Sequence, residues 1–278
     1  HYGMVLRLKL NKEKKTMKKL STIFFILLTT ISCSQENESI EYANSITSDD
    51  LENLLSVYSS DDFEGRQTGE RGDKLAANFL REFYINNLIE PALNTVDYFQ
   101  PYQLNLPGKM YTRSYTFPEE LRTYDRYAQG ENLVNTQNVA AVIEGSVYPE
   151  SYLIITGHLD HVGVDGDIVY NGADDNGSGT VSILEIAQAF QIAVNDGNRP
   201  KRSIVFLHVS GEEEGLLGSE YYVNNPLYPI EQTFANLNLD MIGRTDPTRG
   251  YNNEDYIYSI GSDTVSYTHL TLPTMMSV

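Results

Sequence analysis

The 278-residue chain is short of three things, and each shortage excludes a class of protein. It has one cysteine, which rules out an intrachain disulfide and any zinc cluster built on several thiolates. It has 20 Lys and Arg against 38 Asp and Glu, a formal net charge of −18. Residues 1–32 alone carry +6, so the rest carries −24. Such an acidic body repels phosphate backbones and argues against a nucleic-acid partner. It also has no apolar run near the ~20 residues that a bilayer-spanning helix requires. What it has in quantity is apolar material, 41% of its residues, with 20 Tyr against 10 Phe. That suffices for a folded core and excludes wholesale disorder.

The longest apolar run, Leu20 to Ile31, follows Met17, Lys18 and Lys19 and ends at Ser32-Cys33. A short basic region, an apolar stretch of this length and then small residues are the order of a signal peptide. Its end resembles a bacterial lipobox, with Thr30 where Leu is usual and Cys33 as the lipidated first residue. The expected organisation is a non-native leader (1–16), a lipoprotein signal peptide (17–32), a polar tether (33–48) and one domain (49–264). Residues 265–278 are expected to be an artefact, because Val265 to Thr274 (VSYTHLTLPT) matches one reading frame of a common transposon-based sequencing adapter. The expected location is the bacterial cell envelope, with the domain anchored through Cys33 and facing the periplasm or the cell surface.

Inside the domain, helical spacing marks Asp49–Ser59, Gly72–Asn87, Gly177–Ile192 and Gly215–Asn224. Short apolar runs mark strands at Val139–Ile143, Tyr152–Thr156, Ile204–Val209 and Phe234–Met241. Residues 98–137, rich in Tyr, Pro and Asn, carry no clean period and stay unassigned. The alternation predicts an α/β layer fold around a mixed, largely parallel sheet.

Histidine and carboxylate clusters sit where strands end. His158-Leu159-Asp160-His161 follows YLIIT, Glu212-Glu213-Glu214 follows SIVFLHVSG, and Asp240 follows ANLNL. Asp174-Asp175 lies in the loop NGADDNGSG. Taken singly, each is an ordinary polar turn. Together, on one edge of an open α/β sheet, they make an oxygen- and nitrogen-rich site that suits Zn²⁺ before Mn²⁺ or Co²⁺. Asp174, Asn176, Ser178, Gly179 and Glu185 also fit EF-hand positions, but the glycine-rich residues before them cannot form the entering helix.

TGHLDHVG (156–163), NGADDNGSG (171–179), GEEEGLLGS (211–219) and NLDMIG (238–243) resemble the four motifs of the co-catalytic di-zinc exopeptidases. That family includes bacterial secreted leucyl aminopeptidases, aminopeptidase Y and glutamate carboxypeptidase II. EGRQTGERG (64–72) is similar to its N-terminal segment. The resemblance implies a three-layer α/β/α sandwich whose C-terminal part is missing here. It implies two Zn²⁺, with His158 and Asp240 on one, Glu213 on the other and Asp174 bridging. Glu212 would be the general base and Asp160 would orient the His158 imidazole. The substrate would be a peptide, most simply shortened from its amino end. A second histidine ligand is expected near the family's C-terminus, and the only histidine beyond Asp240 is His269, inside the suspected artefact. The alternatives are a glutaminyl cyclase-like acyltransferase on the same scaffold, with one zinc, and a non-catalytic binding module.

Overall fold

The computed structural model describes residues 39–106, 133–245, 248 and 258–259. The chain divides into two units, residues 1–45 and 46–278. In the first, the described residues form a helical turn, in which the Asn44 amide donates to the Ile40 carbonyl at 2.9 Å. All that follows concerns the second. Cys33 and residues 265–278 lie outside the described residues.

The second unit opens with helix α1 (Ser48–Tyr58). Thr47 accepts the Asp50 amide at 3.1 Å and Asp49 and Asp50 occupy the first turn, a capped and charge-matched helix start. Helix α2 (Arg71–Asn86) follows, then the two-residue β1 (Glu90–Pro91) and β2 (Phe99–Asn105). Next come β3 (Leu133–Ile143), β4 (Tyr148–His158) and the small hairpin β5 (Gly163–Asp165) and β6 (Ile168–Tyr170). The chain continues through helix α3 (Gly179–Asn195), β7 (Arg202–Val209), helix α4 (Leu217–Asn224) and β8 (Thr233–Asn238).

The main sheet runs β1-β3-β7-β4-β8, with β2 also on β3. β7, β4 and β8 are mutually parallel, and β3, β2 and β1 are joined antiparallel, so the sheet is mixed as expected. β7 and β4 read as unbroken apolar runs because both of their faces are covered. Ile204 and Phe206 join Val139, Ala141 and Ile155 in a core under α1, α2 and α3. Val205, Leu207 and Val209 point the other way, with Ala140 and Ile154, towards Tyr222 of α4 and Tyr228. The period of two thus produces three layers.

This topology places the site. The β4-to-β7 connection passes through α3 on one face, and the β7-to-β8 connection passes through α4 on the other. β4 therefore sits where the winding reverses, and the carboxyl ends of β4, β7 and β8 open towards a common crevice. β2 resolves part of the unassigned stretch: Gln100, Tyr102 and Leu104 face inward and alternate with exposed Pro101 and Gln103. Residues 107–132 lie outside the described residues.

Candidate metal centre

His158 is the last residue of β4, buried at 3% exposure. Its carbonyl accepts the Thr180 hydroxyl at 2.7 Å, which ties the strand end to α3. Its Nε2 faces Asp175 Oδ1 at 3.1 Å, Asp240 Oδ1 at 3.6 Å and Glu212 Oε2 at 3.9 Å. Burial opposes charge on this imidazole, yet the neighbouring acidic side chains of Asp160, Asp175 and Asp240 outweigh it and push the pKa well above the ordinary histidine range. The pocket is built to hold positive charge. Asp175 responds in the opposite sense: its contact with His158 holds its carboxyl below the usual range.

Two clusters of potential ligand atoms overlap. His158, Asp175 and Asp240 bring one atom each within 4.8 Å of one another, and so do His161, Asp175 and Glu213. His161 Nδ1 is 2.7 Å from Glu213 Oε1. Asp175 is common to both. Asp174, to which the sequence reading gives the bridging place, is in neither cluster; its neighbour stands there instead. Asp174 Oδ1 accepts the Gly243 amide at 2.9 Å and the Ser178 hydroxyl at 3.2 Å, and its Oδ2 pairs with Arg244 at 3.2 Å. Its carboxylate fastens the chain that follows Asp240. The EF-hand alternative fails here too, because β6 enters the loop and Asn176 spends its side chain on Leu239 O, Gly179 N and Met241 N.

Asp160 is fully buried, and its carboxylate is directed mainly at backbone. Its oxygens accept the Glu212 amide at 3.2 Å, the Glu213 amide at 3.4 Å and the Thr68 hydroxyl at 2.8 Å. The His158 Nδ1 contact expected of that carboxylate is instead made by the Asp160 carbonyl, at 3.1 Å, with the carboxylate at 3.7 Å. The root of the glutamate loop is held by buried Asp73, which accepts the hydroxyls of Ser210 at 2.8 Å and Thr136 at 2.9 Å. Glu212 belongs to neither ligand cluster. Burial, together with Asp160, Glu213 and Asp240, raises its pKa to about 7 against the lowering effect of His158.

Gly172 explains how the loop closes. It has φ +54°, a region glycine enters freely, and a Cβ there would stand 2.3 Å from the Asp175 carbonyl and 2.5 Å from the His161 ring.

A cation fits these residues on two grounds. The donor set is imidazole and carboxylate, suited to zinc. His158 Nε2 and Asp240 Oδ1 are buried, lack hydrogen-bond partners and lie 3.6 Å apart. Buried polar atoms are otherwise almost always satisfied.

The comparisons with known proteins point to the same kind of fold and centre. Residues 138–274 match the model of Peptidase family M28. It is 35% identical over 111 residues to aminopeptidase NAALADL1 of Rattus norvegicus, covering 39% of this chain and 14% of that protein. It is 40% identical over 100 residues to leupeptin-inactivating enzyme 1 of Streptomyces exfoliatus, covering 36% and 21% respectively. The matched segments span under a third of the length of the curated relatives. Among solved structures, an aminopeptidase from Aneurinibacillus sp. strain AM-1 shares the fold at a TM-score of 0.52 and 14% identity, over 72% of this chain and 71% of that one.

Proposed function

We propose that this chain is a zinc-dependent exopeptidase that removes residues from the amino end of peptides, using two co-catalytic Zn²⁺. One observation carries the reading: Asp175 belongs to both clusters of possible ligands, so its carboxylate would serve two cations held there. His158 and Asp240 would hold one ion with Asp175. Glu213 would hold the other with Asp175, and His161 is the imidazole in that cluster. The aminopeptidase names among the relatives support the amino-terminal direction.

Bound zinc supplies Lewis acidity, which polarises the scissile carbonyl and acidifies a nearby water. Glu212 faces the same space without ligating, and a carboxyl near neutrality is matched to taking a proton from water and returning it to the leaving amine. Asp160 moves no proton; it fixes the backbone from which Glu212 and Glu213 project.

Glu212→Gln tests the assignment. The variant should keep the metal content of the parent by elemental analysis and lose at least ~10²-fold in hydrolysis of an aminoacyl chromogenic substrate. Activity close to the parent's refutes the base role. A count of one ion in the active parent favours the cyclase-like alternative.

We also propose that Cys33 is lipidated and tethers the domain to the bacterial envelope, on the strength of the basic, apolar and small residues before it. Cys33→Ser should move the protein from the membrane to the soluble fraction and abolish incorporation of labelled fatty acid. Unchanged partitioning counts against the anchor.

A further inference from the structure

Among the described residues, the proposed chemistry leaves a buried, positively charged side chain unused. Arg66 is fully buried, and a guanidinium keeps its charge where a lysine would shed it. Its four side-chain hydrogen bonds all end on backbone carbonyls. Nε donates to Leu159 at 3.1 Å, Nη1 to Tyr58 at 3.1 Å and to Asn171 at 2.7 Å, and Nη2 to Gly172 at 2.8 Å. The guanidinium lies 4.6 Å over the Tyr58 ring, whose hydroxyl donates to the same Leu159 carbonyl at 2.9 Å. The Arg66 carbonyl in turn accepts the His161 amide at 3.1 Å.

Leu159 sits between His158 and Asp160, and Gly172 lies three residues before Asp175. We infer that Arg66 is a positioning residue that ties the His158–His161 segment to the Asn171–Asp175 segment, setting the spacing of the ligands on both before any cation arrives. The inference rests on reading the site as a metal centre. A planar fork with five donors in fixed directions can span three segments; an ammonium, a point charge with three donors, cannot reproduce that reach. The charge also faces Asp160, Asp175 and Glu213, and so offsets the repulsion of gathering carboxylates in one crevice.

Arg66→Lys is the direct test, read by binding. The folded variant, checked by circular dichroism, should bind Zn²⁺ 10- to 100-fold more weakly than the parent in competition with a chelator, the range seen when groups that orient ligands are removed. Its Co²⁺-loaded form should show a shifted visible spectrum. A folded Arg66→Lys that binds Zn²⁺ within twofold of the parent, with an unchanged cobalt spectrum, overturns the inference. If the variant does not fold, hydrogen exchange in the metal-free parent decides. The His161 amide, bonded to Arg66, and the Gly177 amide, bonded to Gly172 at 3.0 Å, should open with one common protection factor. Protection differing by more than tenfold refutes the clamp. Both readouts are binding and exchange, so an inactive, zinc-loaded parent bears on the hydrolytic reading alone.

Discussion

Asp175 Oδ1 lies 3.1 Å from His158 Nε2, and the residue next to it in sequence, Asp174, faces away. The two aspartates therefore predict different phenotypes. Asp175→Asn should lose both bound ions by elemental analysis and with them at least ~10²-fold of any peptidase activity. Asp174→Asn keeps oxygen acceptors for Gly243 and Ser178 and should retain metal. The opposite pattern restores Asp174 to the bridging place.

Gly172→Ala forces a methyl group against the Asp175 carbonyl and the His161 ring at a left-handed backbone position. The variant should lose about 1–3 kcal/mol in urea unfolding. It should also bind Zn²⁺ at least tenfold more weakly. Stability and affinity both within error of the parent would show that the loop relaxes at no cost.

His208 gives the protein a measurable acid sensitivity. It is fully buried beside the Tyr84 hydroxyl at 2.6 Å, and burial lowers its pKa to about 3. The unfolded chain therefore takes up a proton below pH ~6.5 that the folded chain refuses until about pH 3, so stability falls as pH drops through that window. The loss should be about 2 kcal/mol at pH 5 relative to pH 7.5. Glu212, raised to about 7, works in the other direction in the metal-free protein. The comparison is accordingly of metal-free parent with His208→Gln, whose denaturation profile should be flatter on the acid side. Parallel profiles would refute the assignment.

Phe206 is fully buried in β7 and packs against the ring of Tyr84, with centroids 6.3 Å apart. Phe206→Ala should cost about 3–5 kcal/mol, the sum of lost burial and the cavity left behind. A loss under ~1 kcal/mol in urea unfolding would mean that the core under α2 and α3 collapses around the gap.

How far the sequence can be read depends on what each residue is asked to encode. β4 and β7 are legible because strands buried on both faces are apolar throughout, and α3 because its apolar face is broad. β2 is not, since an edge strand tolerates Pro101 and keeps only alternate residues inside. His158, Glu212, Glu213 and Asp240 are legible as a set because each follows a strand end. The choice between Asp174 and Asp175 is not, because adjacent carboxylates point apart and only the folded loop decides which faces the crevice. Arg66 is hidden for a related reason: a lone arginine in a glycine-rich loop looks solvated until the carbonyls it serves, up to 106 positions away, are brought to it.

Asp160 has a consequence for how this fold can change. It grips Glu212 and Glu213 by their amides, so the main chain of that loop is indifferent to what the two side chains are. The two side chains hang from a frame held by main-chain amides. Replacement of either glutamate by another polar residue should leave the crevice standing with a different complement of donors, a route by which one scaffold acquires new chemistry without first learning to fold again.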